Sequence, residues 1–263
     1  MPTRDLRRPP PRSHRRRWLV IAGIVGVFAA TVVVGGLTII NRVETGTWQT
    51  PDTDDFVRVV KGHARGPSKT IFLERAPIDL RPGIDDAPAG ISSVLASARN
   101  QPTRLGGWKG NAATWKKVVA CVTALFVPFD VVVTDQRPTH SDFVLVAVGG
   151  RASDIGVKDR RVGGLAPFNG AVIPKPVVFA FSTALSHDVR AICETIGMEV
   201  AHAYGLDHGY DCKDVMTYLG PCGAKRFVDK AVRCGEKQAR NCEGGAPTQN
   251  SYQQLVRVLG AKR

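Results

Sequence analysis

Between Ile192 and Tyr218 the chain places Glu199, His202 and His208 at intervals that suit a metal ion with a base beside it. Imidazole nitrogens bind zinc, copper, iron and nickel, and a nearby carboxylate can take a proton from water. Two ligands on a helix share a face when they stand four residues apart. Here those slots are Met198 and His202, with Glu199 projecting near the same face. Gly205 then lets the chain reverse, because glycine adopts positive φ cheaply, and this brings His208 back toward His202. Eight residues past His208, Met216 falls in the turn-like segment D-V-M-T-Y, and Tyr218 follows it.

Met198 is the odd member of the set. A thioether is a neutral, soft donor, better suited to copper(I) than to zinc. Among possible replacements, His187 lies eleven residues upstream of Met198 on the same predicted helix, about 16 Å away at 1.5 Å per residue, and cannot reach. Asp207 and Asp211 flank His208. Asp211 is the better candidate for a third ligand, because Asp207 should point away when its neighbour ligates. Glu199 could itself bind metal but would then cease to be a free base. His63 and His140 have no spacing argument behind them. Met198 is otherwise accounted for as core packing. A Glu199 buried without a cation would be costly unless paired.

The segment that must carry these residues, S-H-D-V-R-A-I-C-E-T-I-G-M-E-V-A-H-A-Y-G, is the clearest helix in the chain. Ser186 is its expected N-cap, Asp188 lies in its first turn, and Gly205 is the C′ residue. Upstream, K-T-I-F-L-E-R-A-P-I-D-L alternates as a strand and should begin the folded domain. P-G-I-D-D-A-P-A-G-I-S-S-V-L-A-S reads as loop; its Asp85 and Asp86 suit turn caps better than a calcium site. N-A-A-T-W-K-K-V-V-A-C-V-T-A-L-F is an amphipathic helix stopped by Pro128. F-D-V-V-V-T, D-F-V-L-V-A-V and V-V-F-A-F-S follow as strands, the last a buried or edge strand just before the motif helix. Shorter helical pieces are expected in A-K-R-F-V-D-K-A-V-R-C-G-E-K and N-S-Y-Q-Q-L-V-R-V-L-G.

The 263-residue chain carries a net charge of +13, and +6 of it lies in residues 1–17, where seven arginines face only Asp5. That basic tail precedes Trp18–Ile40, 23 residues without a charge. Such a run spans about 35 Å as a helix, enough for a hydrocarbon core of roughly 30 Å. The positive-inside rule puts the N-terminus in the cytoplasm and the remainder outside. A cleaved signal peptide is the competing interpretation, and it too exports the C-terminal part. The charge alone would also suit nucleic acid, but no aromatic-basic pattern supports that partner. All six cysteines lie beyond the apolar run, so three disulfides in an oxidising compartment are the expectation. Local pairs Cys212–Cys222 and Cys234–Cys242 would leave Cys121 for Cys193, among the 15 pairings that six cysteines allow.

The order M-E-V-A-H-A-Y-G-L-D-H followed by D-V-M-T-Y resembles the metzincin clan of zinc metalloproteases, the matrixin-like branch most, with Met198 where the first histidine ligand would stand. The resemblance implies an α+β fold: a mixed N-terminal sheet packed on two long helices, then a small C-terminal subdomain, here with disulfides. It implies zinc held by His202 and His208; Asp211, from its place in the loop after His208, stays the candidate third ligand. Glu199 would be the general base toward the attacking water, Gly205 the turn, Met216 an apolar floor, and Tyr218 a residue near metal or substrate. The implied organisation is a cytoplasmic tail (1–17), a transmembrane helix (18–40), a linker (41–68) and the metzincin-like domain (69–263). The implied activity is extracytoplasmic peptide-bond hydrolysis, weakened by Met198. The alternative is a catalytically inactive domain that binds a protein or peptide in the same cleft.

Overall fold

The structure, a computed structural model, describes residues 66–98 and 100–263. These lie in one compact unit, Arg65–Arg263. Among the described residues no helix is long and apolar enough to cross a membrane; the tail (1–17), the apolar run (18–40) and most of the linker lie outside them.

The protein is a mixed α+β structure. Its main sheet has five strands in the order β5-β1-β6-β8-β7, formed by β1 (Thr70–Glu74), β5 (Val132–Thr134), β6 (Val144–Val148), β7 (Gly164–Leu165) and β8 (Val177–Ala180). Four strands run parallel, and β7 pairs antiparallel to β8 along one edge. A second sheet joins β2 (Ile78–Pro82), β3 (Ile91–Ser92) and β4 (Thr103–Leu105). The helices are α1 (Ser93–Ala98), α2 (Ala112–Phe126), α3 (Val189–Ala203) and α4 (Ser251–Leu259).

Strand periodicity divides the core. Side chains alternate across a sheet, so in β6 Val144, Val146 and Val148 face the cluster built with Trp115, Val118, Ile192 and Ile196 of α2 and α3. Leu145 and Ala147 face the opposite cluster, with Phe143, Phe179, Phe181 and Leu80. Every residue of β6 and β8 is buried, as expected of interior parallel strands covered on both faces. V-V-F-A is accordingly an inner strand, between β6 and β7, rather than an edge.

Helix ends follow their caps. Asn111 caps α2 by accepting from Thr114 N. Helix α3 starts half a turn later than the sequence suggests. Asp188, not Ser186, is its N-cap and accepts from Ala191 N, because Ser186 and His187 stand at positive φ of 51° and 57° in the turn that leaves β8. Two other expectations are corrected. Ile91–Ser97, read as loop, lies in β3 and α1; Asp85 accepts from Ser93 Oγ and Val177 N, and Asp86 pairs with Lys175, so both aspartates tie the turn. Ala224–Lys237, read as helical, forms isolated bridges instead, among them Asp214 with Arg226 and Val232 with Gln249. Its cysteines and bridges to neighbouring segments outweigh a weak helical pattern.

All six cysteines are paired: Cys121–Cys193, Cys212–Cys222 and Cys234–Cys242. The first bridge staples α2 to α3 over a separation of 72 residues. The other two brace the segment after α3, which holds little regular structure before α4.

Candidate functional site

The end of α3 is a Schellman turn. Leu206 N donates to Ala201 O at 3.0 Å and Gly205 N to His202 O at 2.8 Å, with Gly205 at φ 87°, a conformation glycine adopts without a Cβ penalty. The helix end is also pinned from below, where the buried Tyr204 hydroxyl donates to Ser68 O at 2.7 Å. This reversal performs two tasks. It carries His208 back over the helix, and it aims the Leu206 carbonyl at His202 Nδ1, 2.7 Å away.

The two histidines meet through their other nitrogens. His202 Nε2 and His208 Nε2 are 3.0 Å apart, with the rings nearly perpendicular at 88°. His208 Nδ1 lies 2.7 Å from Glu236 Oε1. A carbonyl oxygen and a carboxylate only accept hydrogen bonds. Each Nδ1 is therefore the N–H of its ring, and each neutral ring turns a bare lone pair on Nε2 toward the other. Two lone pairs at 3.0 Å repel unless a cation lies between them: a second proton, or a metal ion. Two nitrogens held tetrahedrally by zinc at roughly 2.0–2.1 Å would stand about 3.3 Å apart, within a few tenths of an ångström of the observed separation. Two imidazole nitrogens are ligand types that a borderline metal such as zinc accepts, and they supply part of the set such an ion takes.

Both rings line a cavity of about 180 Å³ together with Glu199, Gly164, Leu165, Phe168 and Tyr218. Glu199 is 5% exposed, and burial pushes its carboxyl up to about 8. Burial, and then the neighbouring His208, push His202 down to about 4. Both shifts favour uncharged groups, as expected where no cation offsets desolvation. A Cβ on Gly164 would sit 2.5 Å from Glu199 Oε1, so only a glycine lets the edge strand β7 lie directly over this carboxylate. The Phe168 ring packs 5.4 Å from that of His202. The Tyr218 ring, 60% exposed, leans on His208 at 4.4 Å. Its hydroxyl is held above its ordinary pKa by burial, then by Glu199 and Glu236.

Met216 is fully buried and belongs to the core cluster that includes α3. Its carbonyl accepts from Gly209 N at 3.0 Å, which ties this turn to the residue after His208. Met198 is 93% buried in the same core cluster and lines an adjoining groove of about 860 Å³ with Glu199, Thr195, Val215 and Tyr218. It is not among the residues lining the cavity of the two histidines.

Asp211, the candidate third ligand, lines a different cavity. Its carboxylate accepts from Lys213 N and from Lys230 Nζ, each at 2.9 Å. The local turn and this lysine claim it, so it brings no oxygen to the histidine pair. His140 contacts Thr70 and Phe143, His187 packs on Trp108, and His63 lies outside the described residues.

Acidic and basic groups that the spacing did not indicate surround His208 instead. Arg240 clasps Asp207 with both guanidinium nitrogens at 2.6 and 2.9 Å and reaches Glu236 at 2.8 Å. Against burial, these hydrogen bonds hold both carboxyls below their ordinary range. Asp207, His208 and Glu236 place ligand atoms within 4.8 Å of one another, and the Arg240 guanidinium already pairs with both carboxylates and offsets one of their two charges. The signal in the sequence was C-G-E-K-Q-A-R-N-C, a carboxylate and a guanidinium enclosed by two cysteines.

Asp214 carries a stability prediction. It is fully buried and its Oδ1 accepts from Met216 N at 3.1 Å. Burial pushes its carboxyl up to about 6, against that hydrogen bond and with some repulsion from Asp211. A folded-state pKa above the unfolded 3.8 means that this group stabilises the fold at low pH and that its contribution is lost as pH rises through about 6. The difference is on the order of 3 kcal/mol. Asp214→Asn keeps an acceptor for Met216 N without the charge. It should be more stable than the parent in urea unfolding at pH 7.5, and the advantage should shrink toward pH 4.5. An equal difference at both pH values would show that the buried charge is not the cause.

Compared with protein-family models and with curated proteins, the chain matches none.

Proposed function

We propose that this is a zinc-dependent metallopeptidase domain whose metal is held by His202 and His208 and whose general base is Glu199. The observation that carries the proposal is the facing Nε2 pair, 3.0 Å apart, with each Nδ1 committed to an oxygen acceptor. Such a pair is arranged for a cation. The elements are compatible with the resemblance to matrixin-like metzincins: several strands, the long helix α2 and further strands precede the motif helix α3, and Gly205 makes the turn just past its end. Zinc, when bound, supplies Lewis acidity, polarising a peptide carbonyl and lowering the pKa of water.

The chain's own groups would do the rest. Glu199, brought back to its carboxylate form by a cation in the cavity, accepts a proton from the attacking water and returns it to the leaving amine. The unpaired side of edge strand β7 and the groove beside Met198 would receive an extended peptide. Tyr218, at the mouth of the cavity, lies where a substrate would pass. Three disulfides support an oxidising compartment. With the apolar run Trp18–Ile40, they favour a domain anchored in a membrane and facing outward, or secreted if the anchor is cleaved.

One observation favours a second interpretation, an inactive domain that binds a peptide in the same cleft. Met198 is packed in the core, and Asp211 is engaged elsewhere, so the two imidazoles have no third protein ligand from either. Metal analysis and peptide hydrolysis by the purified full chain separate the two. The metallopeptidase holds about one zinc per chain, cleaves members of a broad peptide library, stops on chelation and resumes when zinc is returned. Peptide binding without zinc and without cleavage would leave the binding domain in its place.

A further inference from the structure

His208 is held from several sides. Its main-chain N–H donates to Asp207 Oδ1 at 2.7 Å, and its carbonyl accepts from Gly235 N at 2.9 Å. Its ring Nδ1 meets Glu236 Oε1 at 2.7 Å. Arg240 joins Glu236 to Asp207. A closed circuit thus runs from the His208 ring through Glu236, Arg240 and Asp207 back to the His208 main chain. The Cys234–Cys242 bridge closes the loop that carries both Glu236 and Arg240, and a bridge between Gly209 and Cys234 lays the start of that loop against the His208 turn.

We infer that Glu236 is a positioning residue: its carboxylate keeps the His208 proton on Nδ1, and so keeps Nε2 bare and available to a metal. A neutral imidazole has one N–H, and here two acceptors compete for it. One is Glu236, at Nδ1. The other is the lone pair of His202 Nε2, 3.0 Å from His208 Nε2, and His202 cannot release its own Nδ1–H because the Leu206 carbonyl holds it. Without Glu236, the His208 proton moves to Nε2 and satisfies His202. That tautomer turns no Nε2 lone pair toward the cavity; its free lone pair is on Nδ1, at the other edge of the ring. A carboxylate is a stronger acceptor than a neutral ring nitrogen, and Arg240, 2.8 Å from its Oε1, orients it toward the ring.

Glu236 does not act as a ligand itself. Its oxygen lies on the Nδ1 edge of the ring, whereas the two Nε2 atoms converge on the other edge. Partners of this kind on metal-binding histidines fix tautomer and orientation, and their loss costs roughly 10–100-fold in metal affinity. The inference rests on the proposed metal-binding role of the histidine pair, but its first test does not need metal.

The test uses the full chain with 15N-labelled histidine, stripped of metal, at a pH above the ordinary imidazole range. Long-range nitrogen–proton NMR spectra report which ring nitrogen carries the proton. In the parent protein His208 Nδ1 is protonated. In Glu236→Ala the proton moves to Nε2, and zinc affinity, measured by competition with a chromophoric chelator, falls roughly 10–100-fold. Glu236→Gln, a near-isostere that still offers an oxygen, lies between the two in both measurements. Unchanged His208 protonation together with unchanged zinc affinity in Glu236→Ala would overturn the inference. If Glu236→Ala does not fold with its three disulfides, the same unchanged pair of results in Glu236→Gln would overturn it. A proton that moves in a chain that binds no zinc would refute the proposed metallopeptidase and leave the positioning role standing.

Discussion

His202→Ala should abolish zinc binding and peptide hydrolysis together, whereas Glu199→Gln should abolish hydrolysis alone. Among the described residues, His202 supplies one of the two imidazoles that line the cavity. The loss of a ligand should exceed the roughly 10–100-fold that loss of an outer partner costs. Glu199 plays a different part. Burial holds its carboxyl at about 8, so the metal-free fold already accommodates a neutral, protonated side chain there. Glutamine mimics that form in size and charge, and the metal-free variant should melt where the parent does. It cannot accept a proton from water. Hydrolysis should therefore fall by roughly 10²–10⁴-fold, the usual contribution of a positioned base, while zinc stays bound. Chelator competition and cleavage of a peptide library measure the two effects separately. Retention of zinc by His202→Ala, or full activity in Glu199→Gln, would each remove a named role.

Much of the scaffold was legible because period and composition agreed with the final packing. V-L-V-A-V is apolar throughout and is buried on both faces; the spacing of Trp115, Val118 and Val122 fits the buried face of α2. Gly205 was readable as a helix stop, since few other residues take φ 87° there without strain. The expectation that local cysteine pairs leave Cys121 for Cys193 agrees with the structure. Where the reading went astray, long-range contacts decided. Asp211 stands close to His208 in sequence, but Lys230, 19 residues away, takes its carboxylate. Glu236 lies 28 residues beyond His208, and nothing in the intervening sequence indicates that the two would meet. Ala224–Lys237 has a weak helical pattern, yet Gly209, Asp214 and Gln249 draw it into isolated bridges.

Met198→His should tighten zinc binding while loosening the metal-free fold. The residue sits four positions before His202, one turn back on α3, where two side chains share a helix face. It is 7% exposed and lines the groove that also contains Glu199. An imidazole there gains a hydrogen-bonding demand that the thioether lacked, among partners such as Val215 and Thr195. Without metal that demand is poorly met, and stability in the presence of chelator should fall by about 1–2 kcal/mol. With zinc the sign reverses. A third nitrogen completes a three-histidine set of the kind that leaves one position open for chemistry. Affinity should rise by more than roughly 100-fold, since a ligand contributes more than an outer partner does, and the melting temperature should rise with zinc concentration. Peptide hydrolysis should increase in parallel, because Glu199 and the β7 edge are unchanged. The opposite signs in chelator and in zinc separate this from an ordinary core substitution, which would destabilise the protein equally in both. A variant that is weakened in both conditions and cleaves nothing would mean that position 198 does not face the metal, and that the cleft belongs to a domain that only binds.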